Sequence, residues 1–155
     1  MEEIFRRLNR VSARYILIGG QAIRFHGLPR FSMDWDLLIP AHDAENFTRI
    51  NDALSEILDL PVVPLGPKGQ NAVQTYQTLH GVVQFHLGVP GLIPFEEVEL
   101  RAETVWIDDV RVSCISATDL LVAKEAANRP RDQDDIAFLR AKLGLSQSIG
   151  RRSTE

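Results

Sequence analysis

Two brief apolar runs constrain this chain more than any other feature. Tyr15 to Ile18 is stopped by Gly19-Gly20, and Leu37 to Ile39 is stopped by Pro40. Apolar runs this short, punctuated by glycine or proline, predict buried strands rather than helices. Between them "QAIRFHG" predicts a short helix ended by Gly27, and "LPRFS" a loop. Upstream, Ile4, Phe5 and Leu8 share one face of a helix over 2–10. Downstream, Phe47, Ile50, Leu54, Ile57 and Leu58 give a surface helix over 42–58 a single core-facing stripe. The prolines and glycines of "PVVPLGPKGQN" make it a loop. "AVQTYQTLHGVVQFHLGV" predicts a hairpin at His80-Gly81, "PFEEVELRAE" a short helix, and "TVWIDDVRVSCIS" a second hairpin at Asp108-Asp109. Two helices follow, "SATDLLVAKEAANRP" and "RDQDDIAFLRAKLG", split at Arg129-Pro130, with Ser116 as N-cap of the first. After the opening helix the order is β-α-β-α-β-β-α-β-β-α-α. It predicts an α/β (α+β) fold, a mixed sheet flanked by helices.

Composition narrows the class. The chain has 155 residues, 45% apolar and 25% charged, which suits a globular protein with a sizeable core. A net charge of −4 argues against an overall basic coat for nucleic acid, though not against a local basic patch. The single cysteine, Cys114, lies in an apolar-alternating run and reads as a buried thiol of a reducing compartment. No apolar run approaches the ~18 residues that span a bilayer, and "MEEIFRRLNRV" has no signal-peptide core. The expectation is a cytoplasmic protein with no membrane partner: one domain over 1–145 and a polar tail over 146–155.

Asp34 and Asp36 sit one residue apart at the entrance to the second apolar run. They share a strand face, about 7 Å apart, while Trp35 and Leu37 take the other. One interpretation is a solvated strand face. Against it, Leu38 continues the aspartate face in apolar fashion. Like charges this close raise each other's proton affinity unless something positive lies between them. A divalent cation such as Mg²⁺ is the usual remedy, because it takes carboxylate oxygens and keeps positions open for phosphates. The surroundings favour it. Glycines at a strand-to-helix turn let a backbone approach phosphate oxygens, and a helix start favours an anion.

These residues carry a resemblance. "YILIGGQAIRFHGLPRFSMDWDLLI" resembles the core of the polymerase-beta-like minimal nucleotidyltransferases. The nearest subgroup holds the abortive-infection type toxins and many bacterial relatives, with the pattern G-G-x-A-x-x-x-H-G-x-x-R-x-(S/T)-x-D-x-D-L. "DLLVAKEAANRPRDQDDIAFL" resembles the same group's C-terminal helix pair. The resemblance spans about residues 12 to 143. It implies a nucleotidyltransferase fold that transfers a nucleotide from an NTP to RNA (tRNA among the candidates), protein or a small molecule. Asp34 and Asp36 would hold Mg²⁺ or Mn²⁺, with catalytic roles for both and for Lys124. Gly19, Gly20 and Arg30 would lie at the phosphates, Arg129 would approach the substrate, and Asp132 and Asp135 would organise the helix pair. An antitoxin or a second copy of the chain is the implied partner.

Two positions depart from the pattern. Gln21 stands where the family commonly has a phosphate-holding serine, a replacement that the subgroup tolerates, so it stays in the nucleotide-binding set. Gln84 in "VVQFHLGVPG" stands at the expected third carboxylate, ahead of a Pro-Gly turn. Glutamine hydrogen-bonds, which keeps Gln84 in the nucleotide-binding set, but accepts no proton at neutral pH. This departure keeps open a second reading, a degenerate fold that binds nucleotide or a partner without chemistry. His86, on the same strand face, is read first as a hydrogen-bonded structural histidine, with base or ligand as the alternative. His26 is read as structural, and Trp35 and Trp106 as core.

Overall fold

In a computed structural model, residues 1–88, 91 and 93–145 are described. The tail expected over 146–155, and Pro90 of the Pro-Gly turn, lie outside them. The elements are α1 (Glu2–Arg10), β1 (Ile16–Ile18), α2 (Gly19–Phe25), β2 (Asp34–Leu38), α3 (Ala44–Ala53), β3 (Val73–Thr78), β4 (Gly81–His86), α4 (Phe95–Arg101), β5 (Glu103–Ile107), β6 (Val110–Cys114), α5 (Ala117–Ala127) and α6 (Gln133–Lys142), with a 3₁₀ turn over Pro130–Asp132. The element order matches the expectation throughout. The strands form one mixed sheet in the order β3-β4-β2-β1-β6-β5. β1 runs antiparallel to β2 and parallel to β6, while β2 runs parallel to β4.

β1 is central, and all three of its residues are buried, as expected of a strand covered on both faces. On one face Phe5 of α1 meets Trp35 edge-on at 5.8 Å and Tyr15 at 5.5 Å. Because side chains alternate along β2, Asp34 and Asp36 point to the opposite face. There α2 packs on β1, β2 and α5, and α5 packs on α6. The core joins Leu17, Leu37, Val83, Phe85, Val112 and Leu139, all fully buried.

Four local expectations change. Gly19 and Gly20, expected as a strand-to-helix turn ahead of a helix beginning at Gln21, are the first two residues of α2. α3 ends at Ala53 rather than 58. Past Leu54 the chain turns back, and both oxygen and nitrogen of the Asn51 amide bind the Val62 backbone, at 2.8 and 2.9 Å. β2 begins at Asp34, so the loop expected over 28–32 runs on through Met33. Trp106 is no core residue: it sits on edge strand β5 and is 60% exposed. The hairpin turns fall where expected, with Asp108 at φ 51 and Gly81 at φ 121.

Candidate functional site

Gly19 opens α2 directly above β2, because β1 and β2 pair with Ile18 opposite Asp36. Its φ of +73 is one that side-chain-bearing residues rarely adopt, and a Cβ there would run into the Asp36 carboxylate. A Cβ on Gly20 would meet Ser32 Oγ at 2.6 Å, with an Arg30 guanidinium nitrogen 3.8 Å away. The glycine turn, the aspartates and the Arg30 loop therefore share one place. They line a cleft of about 730 Å³ together with Gln84, His86, Lys124, Arg129 and Arg131.

Charge in the cleft is arranged by the C-terminal helices. Lys124, 7% exposed, reaches Asp135 at 3.0 Å and Asp132 at 3.4 Å. Arg30 binds Asp135 at 2.5 Å, and Arg129 binds Asp132 through Nε at 2.7 Å. Asp132 and Asp135, each 1% exposed, thus hold three cations at the cleft wall, as expected of organisers of the helix pair. Burial pulls the Asp132 carboxyl upward. Hydrogen bonds from the Arg129 side chain and backbone, with the charges of Lys124 and Arg129, outweigh it and hold the group at about 2. The Arg129 guanidinium is pushed up, chiefly by its hydrogen bond to Asp132 and in smaller part by the charges of Asp132, Asp36 and Asp135. Arg131, also on the lining, has no ion-pair partner among the described residues.

Position 84 lies opposite Asp36 in the parallel β2–β4 register, where the expected third acid would sit. Gln84 turns its amide to Thr75 Oγ1 on β3, at 3.2 Å. His86 instead reaches Asp36, Nε2 to Oδ1 at 2.8 Å. Among the described residues no three His, Cys, Asp or Glu side chains form a ready metal cage. The carboxylate pair fits a hard, oxygen-seeking cation whose other positions go to water and phosphate.

Gln21 alone among the expected site residues does not line the cleft. It is 2% exposed, donates to the Ser32 carbonyl at 2.9 Å and accepts from Arg24 at 2.7 Å, and so fixes the Arg30–Ser32 loop from behind. His26 is structural as expected, 8% exposed with Nε2 2.7 Å from the Ile115 carbonyl. Sequence reasoning missed Phe31, Ser32 and Met33 at the cleft mouth. The signal was their place in the loop joining the glycine turn to the aspartates, since loop residues carry no periodicity.

Comparison with known proteins bears on family and fold. The family described as nucleotidyl transferase AbiEii toxin, type IV toxin–antitoxin system, matches residues 4–146. Two crystal structures are similar in fold. One, of a Thermotoga maritima protein assigned to the nucleotidyltransferases, superposes with a TM-score of 0.59 at 14% identity, over 92% of this chain and 89% of the other. The second, an antigenic nucleotidyltransferase-like protein of Paracoccidioides brasiliensis, gives 0.55 at 16% identity, over 94% and 74%. No curated protein is a significant match.

Proposed function

This chain belongs to the AbiEii nucleotidyltransferase toxin family, and from that membership and the cleft we propose that it transfers a nucleoside monophosphate from an NTP to an acceptor hydroxyl. The observation that carries this is convergence: Asp34, Asp36, the Gly19-Gly20 turn, Arg30, Lys124 and Arg129 line one cleft. Asp34 and Asp36 would hold Mg²⁺ or Mn²⁺, and the bound ion supplies neutralisation of charge at the reacting phosphate.

The chain's own residues do the rest. Gly19 and Gly20 present backbone without side chains, so phosphate oxygens can come close. Arg30 and Arg129 face those oxygens from two sides, held by Asp135 and Asp132 against collapse onto Asp34 and Asp36. Lys124, nearly out of water, supplies a fixed positive field at the wall. The acceptor hydroxyl gives its proton to solvent as its oxygen bonds the α-phosphorus, the bond from that phosphorus to the oxygen shared with the β-phosphate breaks, and pyrophosphate leaves. Gln84 takes no proton, so rate enhancement rests on positioning and electrostatics.

The second reading, nucleotide binding without transfer, is favoured by Gln84, whose amide is committed to Thr75. Intact Asp34 and Asp36 oppose it, since a binding module has no use for a repulsive pair. The family description supports a toxin role with an antitoxin partner, and the cytoplasm is the place proposed for it. No helix among the described residues is long and apolar enough to cross a membrane.

Labelled NTPs with Mg²⁺, total RNA and cell lysate test both readings. Label moved by the wild type but not by Asp34→Asn, with both circular dichroism spectra alike, supports transfer. Nucleotide bound but never transferred supports the second reading, and neither binding nor transfer sinks both.

A further inference from the structure

The carboxylate that position 84 lacks leaves Asp36 with one neighbour fewer on β4. Two residues on, the sheet supplies another. His86 and Gln84 share a strand face, and β2 and β4 pair in parallel with Asp36 opposite Gln84 and Leu38 opposite His86. His86 Nε2 lies 2.8 Å from Asp36 Oδ1. The carboxylate only accepts when ionised, so the imidazole Nε2–H donates. The other oxygen, Oδ2, lies close against the backbone of Gly19, where a Cβ would run into it. Both side chains are largely out of water, 20% exposed for His86 and 16% for Asp36, so the contact is not a solvated surface pair.

We propose that His86 is a positioning residue for the cation site. By holding Asp36 Oδ1, it fixes the carboxylate plane so that Oδ2 is the oxygen offered to the divalent ion beside Gly19. It thereby replaces part of the organisation lost with the third acid. Residues that hydrogen-bond a metal-binding carboxylate from behind contribute strongly to metal affinity, and their removal typically lowers it about 10–100-fold. A hydrogen bond of this kind also relieves the mutual repulsion of Asp34 and Asp36 without placing a third anion beside them. The inference rests on the proposed metal-binding role of Asp34 and Asp36.

The test is Mn²⁺ binding to the full chain, followed by the electron paramagnetic resonance of free Mn²⁺ and separate from any activity assay. His86→Phe, which fills the space without a donor, is expected to weaken binding about 10–100-fold. His86→Gln, which restores an N–H at similar reach, is expected to recover most of it. His86→Leu is the fallback if the phenylalanine variant unfolds, with circular dichroism as the control. Because His86 acts through Asp36, adding His86→Phe to Asp36→Asn should produce no further loss. Unchanged affinity in His86→Phe, no recovery in His86→Gln, or an additive loss in the double variant each overturns the positioning role. A wild-type chain that binds no Mn²⁺, with Asp34→Asn indistinguishable from it, overturns the metal reading itself.

Discussion

Gly19 bears the tightest local constraint in the cleft. Its left-handed backbone and the carboxylate of Asp36 beneath it both exclude a side chain. Gly19→Ala should cost about 1–3 kcal/mol of stability, the usual scale for a side chain forced into that conformation. It should also weaken Mn²⁺ binding by displacing Asp36. Urea unfolding and metal titration check the two effects separately, and an alanine variant that keeps both properties would refute the close approach. Cys114 is a simpler case. Burial pushes its thiol up to about 12, so almost no thiolate exists near neutral pH. A thiol reagent should label it only once denaturant opens the core, whereas prompt labelling of the folded chain would mean that β6 is not covered as described. At this scale the sequence exposed residue types but not contacts. Nothing in "GGQAIRF" distinguishes Gly20, beside Arg30 and Ser32, from Gln21, which turns its back to the cleft.

The helix junction from α5 to α6 is where the elements stabilise the site. Ser116 accepts the Asp119 backbone N–H at 3.1 Å, the N-cap bond that its sequence position predicts. Ser116→Ala should therefore cost about 1 kcal/mol, measured as a lower urea midpoint with an unchanged slope. At the other end Asn128 closes α5 at φ 45, and Asp132 accepts the Arg129 backbone N–H at 3.1 Å, stopping one helix and starting the next. The Asp132 carboxyl sits below its ordinary range, at about 2 when folded. Its contribution is thus fully present above the unfolded value, about pH 4, and is lost as pH falls toward about pH 2. That limb is worth about 2 kcal/mol. Asp132→Asn should flatten the fall in stability across this window, and an unchanged acid limb in the variant would show that Asp132 does not carry it. The junction was legible as two helices broken at Arg129-Pro130. The reach of Lys124 across it to Asp132 was not, because residue spacing on separate helices says nothing of their crossing.

For the whole molecule, Asp135 is the pin between distant parts of the chain. It joins Arg30, from the loop between α2 and β2, and Lys124 of α5 to α6. Asp135→Ala would leave Lys124 nearly buried with a weakened partner set, and a broken buried pair of this kind costs about 3–5 kcal/mol. The loss should appear in urea unfolding together with weaker nucleotide binding. A variant within about 1 kcal/mol of the wild type would mean that the pin contributes little, as in exposed pairs. From its order of residues alone the chain determined its element types, its glycine turn, its paired acids and its helix caps. Each of these depends on neighbours within a few residues, where backbone propensity and side-chain spacing act directly. Only the tertiary structure decided that strands β2 and β4, some fifty residues apart in sequence, pair in the register that sets Gln84 and His86 beside Asp36. It also decided that Trp106 faces outward on an edge strand and that Arg30 shares Asp135 with Lys124. Those facts follow from how the sheet orders its strands and how α6 crosses α5. Long-range packing fixes both, and no local pattern encodes them.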